Sequence, residues 1–198
     1  MTERVDFAID LETGGTRPGD VVLQAGIVAF EPLTDKILAE MEVNISLDES
    51  LKQGFQMTAG TLNFWMTKVT DEARRLVWDE GQKKATNIVS ALASLNHFYE
   101  LNSNIGEDGK HVGKGGGLWC QGQDFDLGLL HAYFNHFDYE RAWGYRSGRD
   151  VRSVCDLMNF SGRDVPLEGE LHTALTDARW TAKVVQRAFQ LAQGDIPF

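Results

Sequence analysis

Val5 to Leu11 (VDFAIDL) is a short apolar run with polar residues on either side, which predicts a buried strand. A polar, glycine-containing turn follows from Thr13 to Asp20, and Val21 to Phe30 (VVLQAGIVAF), rich in Val and Ile, predicts a second strand. Glu31-Pro32-Leu33-Thr34-Asp35 has turn chemistry, and Lys36 to Ile45 alternates as a third strand would. Connections this short favour antiparallel neighbours.

The pattern changes after Ser46. Thr61 to Val77 mixes apolar and charged residues in a way that predicts two short helices around Thr70-Asp71-Glu72. Gln82 to Leu101 predicts a longer helix, with Ile88, Leu92, Leu95 and Tyr99 at three- and four-residue spacing. Asn102 to Gly117 holds six glycines and no apolar cluster, and predicts a mobile surface loop. A fourth strand over Leu118 to Gln121 runs into a helix from Phe125 to Phe137; Trp143 to Arg149 is irregular or a fifth strand; Val151 to Met158 is a short helix. Thr173 to Ala192 is the last helix, closed near Gly194. There is no internal repeat and no linker, so one domain is expected over residues 1–198. Three tightly joined strands, then strands alternating with helices, predict an α/β fold: a mixed sheet covered by helices.

Composition narrows the function classes. With 42% hydrophobic and 24% charged residues, a largely disordered chain is excluded. No apolar run approaches the ~18 residues of a membrane span, so no membrane partner is expected. Met1 to Asp6 carries no apolar signal core. Two cysteines, Cys120 and Cys155, are too few for a disulfide framework and wrongly spaced for zinc, which points to a reducing cytoplasm. A net charge of −10 argues against coating nucleic acid by charge alone. It leaves room for a small site where cations cancel carboxylates. Solubility alone is the competing explanation of the acid surplus.

Several carboxylates stand where carboxylates are costly. Asp10 and Glu12 are two apart at the end of the first strand, where i and i+2 share a face about 6.5 Å apart. Either a cation sits between them, or the strand has ended and both are solvated. Asp126 opens a helix on whose buried stripe Leu130, Phe134 and Phe137 also fall; otherwise it simply faces the helix dipole. Asp177 lies within the inner stripe of the last helix, among Ala174, Ala178, Thr181, Val185, Ala188 and Ala192. His172 cooperates with it only from the loop that leads into that helix, since five residues of continuous helix would turn the two about 140° apart. Four such acids cannot all ionise without cations, and oxygen ligands suit Mg²⁺ or Mn²⁺.

Three motifs in order, Asp10-Leu11-Glu12-Thr13, Gly122-Gln123-Asp124-Phe125-Asp126 and His172-Thr173-Ala174-Leu175-Thr176-Asp177-Ala178, resemble the DEDDh 3′–5′ exonucleases of the ribonuclease-H-like fold. The resemblance covers nearly the whole chain. Trp119-Cys120-Gln121-Gly122, Thr61-Leu62-Asn63-Phe64-Trp65 with Glu72-Ala73-Arg74, and Arg149-Asp150-Val151-Arg152 are similar to the branch of phage exonuclease A and the mycobacterial-type exoribonuclease domains. Many relatives carry Asn where Gln123 or Asp124 stands. The resemblance implies that Asp10, Glu12, Asp126 and Asp177 hold two divalent ions about 3.5–4 Å apart, Mg²⁺ or Mn²⁺. It implies His172 as general base and 5′-mononucleotides released from the 3′ ends of single-stranded DNA or RNA. Thr13 to Thr16, Thr13 and Gly14 foremost, would line the terminal nucleotide. Trp65 either stacks on a base or is core. Arg149 and Arg152 either hold a phosphate or pair with nearby acids, with pairing the favoured expectation. Asp150 is expected to cap the following helix.

Two other classes compete: a non-catalytic nucleic-acid-binding module on the same fold, and an acidic interaction protein. The first would tolerate loss of an acid from the set, and none is lost. The second would spread acids along one face without this motif order. DNA or RNA preference, processivity and oligomeric state, a homodimer included, stay open.

Overall fold

A computed structural model describes residues 4–103 and 116–194. Three strands come first: β1 (Asp6–Thr13), β2 (Val22–Phe30) and β3 (Ile37–Asn44). The helices α1 (Leu47–Lys52), α2 (Ala59–Thr67) and α3 (Asp71–Arg74) follow, with α3 passing through a π-helical turn (Arg75–Glu80) into α4 (Gly81–Lys83) and then α5 (Ile88–Asn102). The chain continues with β4 (Leu118–Cys120), α6 (Gln123–His136), β5 (Gly148–Asp150), α7 (Val151–Leu157), a 3₁₀ turn (Gly162–Asp164) and α8 (Ala174–Gln193).

The sheet order is β3-β2-β1-β4-β5. β1 pairs antiparallel with β2, and β2 with β3, as the short turns require. β4 lies parallel to β1, and β5 parallel to β4. The mixed α/β sheet of the ribonuclease-H-like expectation is therefore present, and Trp143 to Arg149 yields a fifth strand at its end. β1 is central and buried along its whole length. Phe7, Ile9 and Leu11 face a large core with Ile88, Leu92, Leu95, Leu130 and Phe134. Ala8 faces a smaller one with Val28, Phe30, Ala178, Ala182 and Val185. Strand pleating thus sends the even-numbered residues, Asp10 and Glu12 among them, toward α8.

Several boundaries differ from expectation. The helix expected from Gln82 is broken, because Thr86 is drawn alongside Ile45: its N–H donates to the Asn44 carbonyl at 2.9 Å and its carbonyl accepts from Ser46 N at 3.0 Å. Gln82 turns back to bond Leu47 N and the Ile45 carbonyl. The helix restarts at Asn87, whose side chain accepts from Ser90 N at 2.8 Å. Of the two helices expected around Thr70-Asp71-Glu72, the second starts at the Thr70 N-cap and runs on through the π-turn. α6 starts two residues early, because the Asp150 carboxylate accepts from Gln123 N at 3.2 Å. α1 was not anticipated; Ser46 caps it by accepting from Glu49 N. Most of the loop expected over 102–117 lies outside the described residues, as do Met1 to Glu3. Among the described residues no helix is long and apolar enough to cross a membrane.

Candidate active site

The carboxyl end of β1, the start of α6 and the start of α8 meet around a cleft of about 610 Å³. Asp10, Glu12, Asp126, His172 and Asp177 all line it. Each reaches it for a local reason. Asp10 and Glu12 share the pleat face that looks at α8. Asp126 sits in the first turn of α6, where its N–H bonds the Gly122 carbonyl at 3.0 Å, and it is 1% exposed. Asp177 is in the first turn of α8 and buried.

α8 approaches β2 very closely. A methyl group added at Gly26 would lie 2.3 Å from the Ala174 carbonyl, so only glycine fits there. Two residues along β2, Gln24 accepts from Ala174 N at 2.9 Å and donates to Asn44 Oδ1 at 2.9 Å. Gly26 pairs with Asp10 and Gln24 with Glu12 across the β1–β2 ladder. The strand carrying the first two acids is thus tied, through one neighbour, to the helix carrying Asp177.

His172 lies on the loop before α8, as its cooperation with Asp177 requires. It adopts a left-handed backbone conformation, φ 64°. Its amide donates to Asp177 Oδ2 at 3.0 Å, which offsets the cost of that conformation. Thr173 Oγ1 donates to the Glu170 carbonyl, and Glu170 in turn accepts from Thr70 Oγ1, holding the loop against the α2–α3 corner. The imidazole packs edge-on to Phe64, with ring centroids 5.2 Å apart.

The electrostatics are those of crowded, dehydrated acids. Burial, then the charges of Asp126, Glu12 and Asp177, push Asp10 well above the usual carboxylate range. Burial and the charges of Asp177 and Asp126 do the same to Glu12. Burial raises Asp126 to about 7; the amides of Leu11 and Gln121 and the Arg152 charge oppose the rise, although no amide reaches hydrogen-bond geometry. Asp177 rises to about 6, again by burial, against the His172 amide. Burial depresses His172, with Glu170 opposing.

Both carboxylate oxygens of Asp126, and Oδ1 of Asp177, are buried without a hydrogen-bond partner. Such orphans are costly unless something absent from the polypeptide satisfies them. Four carboxylates around one cleft are a donor set that divalent cations fit. One oxygen or nitrogen each from Glu12, His172 and Asp177 lie within 4.8 Å of one another. Asp10 and Asp126 share the cleft and the electrostatic coupling, but do not complete a second such set of three among the described residues.

Other expected contacts fall differently. Thr13 lines the cleft, but its hydroxyl donates to the Gly15 carbonyl at 2.6 Å. Gly14 falls outside the lining, with its backbone groups bonded to Val21 and Thr58, and a methyl group added there would meet Met57 Cγ at 3.0 Å. Trp65 is core: it is 2% exposed and its Nε1 donates to the Thr13 carbonyl at 2.9 Å. Phe64, 39% exposed, is the aromatic residue open to solvent on that wall, beside Thr58 and Thr61. The favoured pairing of Arg149 and Arg152 with acids is not found. Arg149 donates to the carbonyls of Arg146 and Gly148, and the Arg152 guanidinium makes no ion pair or hydrogen bond with a described residue, although its charge favours the ionised Asp126. Asp150 caps α7 as expected, accepting from Arg152 N at 2.8 Å. Gln24 was overlooked in the sequence, where a lone amide inside an otherwise apolar strand was the available signal.

The fold matches E. coli exonuclease I in complex with a dT13 oligonucleotide, with a TM-score of 0.62 at 14% identity over 93% of this chain and 40% of that one. It also matches the nuclease domain of 3′hExo, a DEDDh family member bound to rAMP, with a TM-score of 0.60 at 14% identity over 96% and 93% of the two chains. An exodeoxyribonuclease of Enterobacteria phage T4 is 25% identical over 131 residues, and the match spans 63% of this chain but only 53% of the phage protein. Residues 5–189 match the 3′-5′ exoribonuclease Rv2179c-like domain, and the chain belongs to that family.

Proposed function

We propose that the chain is a divalent-metal-dependent 3′–5′ exonuclease that releases 5′-mononucleotides from single-stranded DNA or RNA. The observation that carries this is the cleft itself: buried carboxylates with unpartnered oxygens, gathered from the ends of β1, α6 and α8 beside His172. Asp10, Glu12, Asp126 and Asp177 would hold two ions, Mg²⁺ or Mn²⁺, which supply charge neutralisation, a more acidic attacking water and stabilisation of the departing 3′ oxygen. His172, kept neutral near pH 7 by its burial, takes the proton of the water that attacks phosphorus. The bond broken is that between phosphorus and the 3′ oxygen of the penultimate nucleotide. Phe64 holds the imidazole edge-on, and the Asp177 carboxylate holds its backbone, so the ring stays turned toward the acids. Thr13, Thr58, Thr61 and Phe64 form the wall that receives the terminal nucleoside. The site needs no second copy of the chain, because one chain supplies all of these residues.

The family is described as exoribonuclease and the phage relative as exodeoxyribonuclease, so both sugars belong in the test. A 5′-labelled single strand of each kind, incubated with Mn²⁺, should shorten stepwise from its 3′ end. Cleavage of a closed single-stranded circle, or inertness toward both sugars with Mn²⁺ and Mg²⁺, would contradict the proposal.

A further inference from the structure

The cleft presents an electrostatic difficulty. Its lining carries four acids, and the chain bears a net charge of −10, yet the proposed substrate is a polyanion. Ions held by the carboxylates would neutralise the scissile phosphate alone. Single strands that enter such a site need cation contacts for the phosphates behind it.

Arg152 is the one lysine or arginine among the described residues lining the cleft. Four of the eleven arginines in this acid-rich chain are engaged by acids: Arg4 holds Asp6, Arg74 holds Asp71, Arg75 holds Glu72 and Arg179 holds Glu40. The Arg152 guanidinium forms no ion pair or hydrogen bond with any described residue; its charge acts on the cleft acids only at longer range, lowering Asp126. Its backbone is nevertheless fixed. Asp150 accepts from both Arg152 N and Gln123 N, which ties the first turn of α7 to the first turn of α6. A methyl group added at Gly122 would sit 3.5 Å from Arg152 Nη1, so the guanidinium rests beside the residue that starts the Asp126 helix. Arg152 approaches from the β4–β5 side of the sheet. The threonines and Phe64 approach from α2.

We infer that Arg152 grips the phosphodiester one nucleotide upstream of the bond that is cut. A planar, forked guanidinium suits a phosphate that passes over the cleft rim, and an unpaired one need break no ion pair to bind it. This would also set the polarity of the strand, with its 3′ end toward α2 and its body leaving past α7. The inference rests on the exonuclease reading above.

Binding and turnover are measured separately. In Ca²⁺, fluorescence anisotropy of a fluorescein-labelled ten-residue oligothymidylate reports affinity as salt is varied. Arg152→Gln should weaken binding about tenfold and lower the slope of log affinity against log salt by about 0.7, the loss of one phosphate contact on a single strand. Arg152→Lys should restore the slope but only part of the affinity. In Mn²⁺, kcat/KM on the oligonucleotide should fall at least fivefold more than on the p-nitrophenyl ester of thymidine 5′-monophosphate, which has no upstream phosphate. Equal losses on the two substrates, or an unchanged salt slope, would overturn the role of Arg152 while leaving the site standing. A wild-type protein inert toward both substrates would overturn the exonuclease reading instead, and the binding series would still decide Arg152.

Discussion

Replacing Asp126 by Asn should make the metal-free protein more stable while abolishing its activity. The reason is the environment of that carboxyl: it is 1% exposed, neither oxygen has a hydrogen-bond partner, and burial moves its pKa from the ordinary 3.8 to about 7. The sign follows from linkage. A carboxyl raised in the folded state costs nothing below its unfolded pKa; the penalty grows as pH rises from about 4 and is complete above about 7. At about 1.4 kcal/mol per tenfold displacement, an ionised Asp126 costs up to about 4 kcal/mol at pH 8. Asn removes that burial cost and also relieves Asp10 and Glu12, whose carboxyls the Asp126 charge raises; with water and local relaxation already softening the cost of the buried charge by about half, Asn should recover about 2 kcal/mol, or roughly 4–8 °C in melting temperature for a chain of this size. The carboxamide also offers two N–H donors to the neighbouring acids. The assay is thermal unfolding of both proteins in chelator at pH 8 and at pH 4.5, then at pH 8 with saturating Mn²⁺. The gain should appear at pH 8, shrink to about a quarter, roughly 1–2 °C, at pH 4.5, and reverse with Mn²⁺, which stabilises the intact ligand set more. An Asn variant less stable than wild type in chelator at pH 8, or equally stabilised at both pH values, would show that Asp126 carries no burial penalty.

His172→Ala should cost roughly 10²–10⁴ in turnover with little change in melting temperature or Mn²⁺ affinity, and should flatten the acid limb of the pH–rate profile, which in the wild type falls below the ordinary imidazole pKa because burial depresses the ring. Gly26→Ala should push the start of α8 away from β2 and lower turnover by about 10², as a displacement near 1 Å in a catalytic constellation does; wild-type rates in that variant would contradict the close approach of Gly26 to Ala174. Trp65→Phe should lose about 1 kcal/mol of stability, read from chemical denaturation, because the indole bond to the Thr13 carbonyl disappears.

The strands and the acids were legible for the same reason: each rests on a local pattern. Val5 to Leu11 and Val21 to Phe30 are apolar because both faces of β1 and β2 are covered, and Asp10 stands out because that setting makes an acid expensive. What escaped depends on partners far along the chain. Nothing near Gln82 announces that Thr86 will be drawn to Ile45 and break the helix, and nothing near Gln123 announces that Asp150 will cap it. The same holds for Trp65 and Phe64. Adjacent aromatic residues on α2 look interchangeable in sequence, but the helix turns Trp65 inward to Thr13 and leaves Phe64 against His172. Arg152 is the complementary case: a basic residue in an acid-rich chain is expected to form an ion pair, and the arrangement of α6 and α7 instead leaves its guanidinium at the cleft, acting on Asp126 only at longer range.

Everything proposed for the cleft depends on Asp10, Glu12, Asp126 and Asp177 together holding two divalent ions. Crystals grown with Mn²⁺ and thymidine 5′-monophosphate, measured at the manganese absorption edge, test it directly. Two anomalous peaks are expected in the cleft, with all four carboxylates contacting manganese and the His172 ring free of it. One peak held by Glu12, His172 and Asp177, with Asp10 and Asp126 bare, would contradict it.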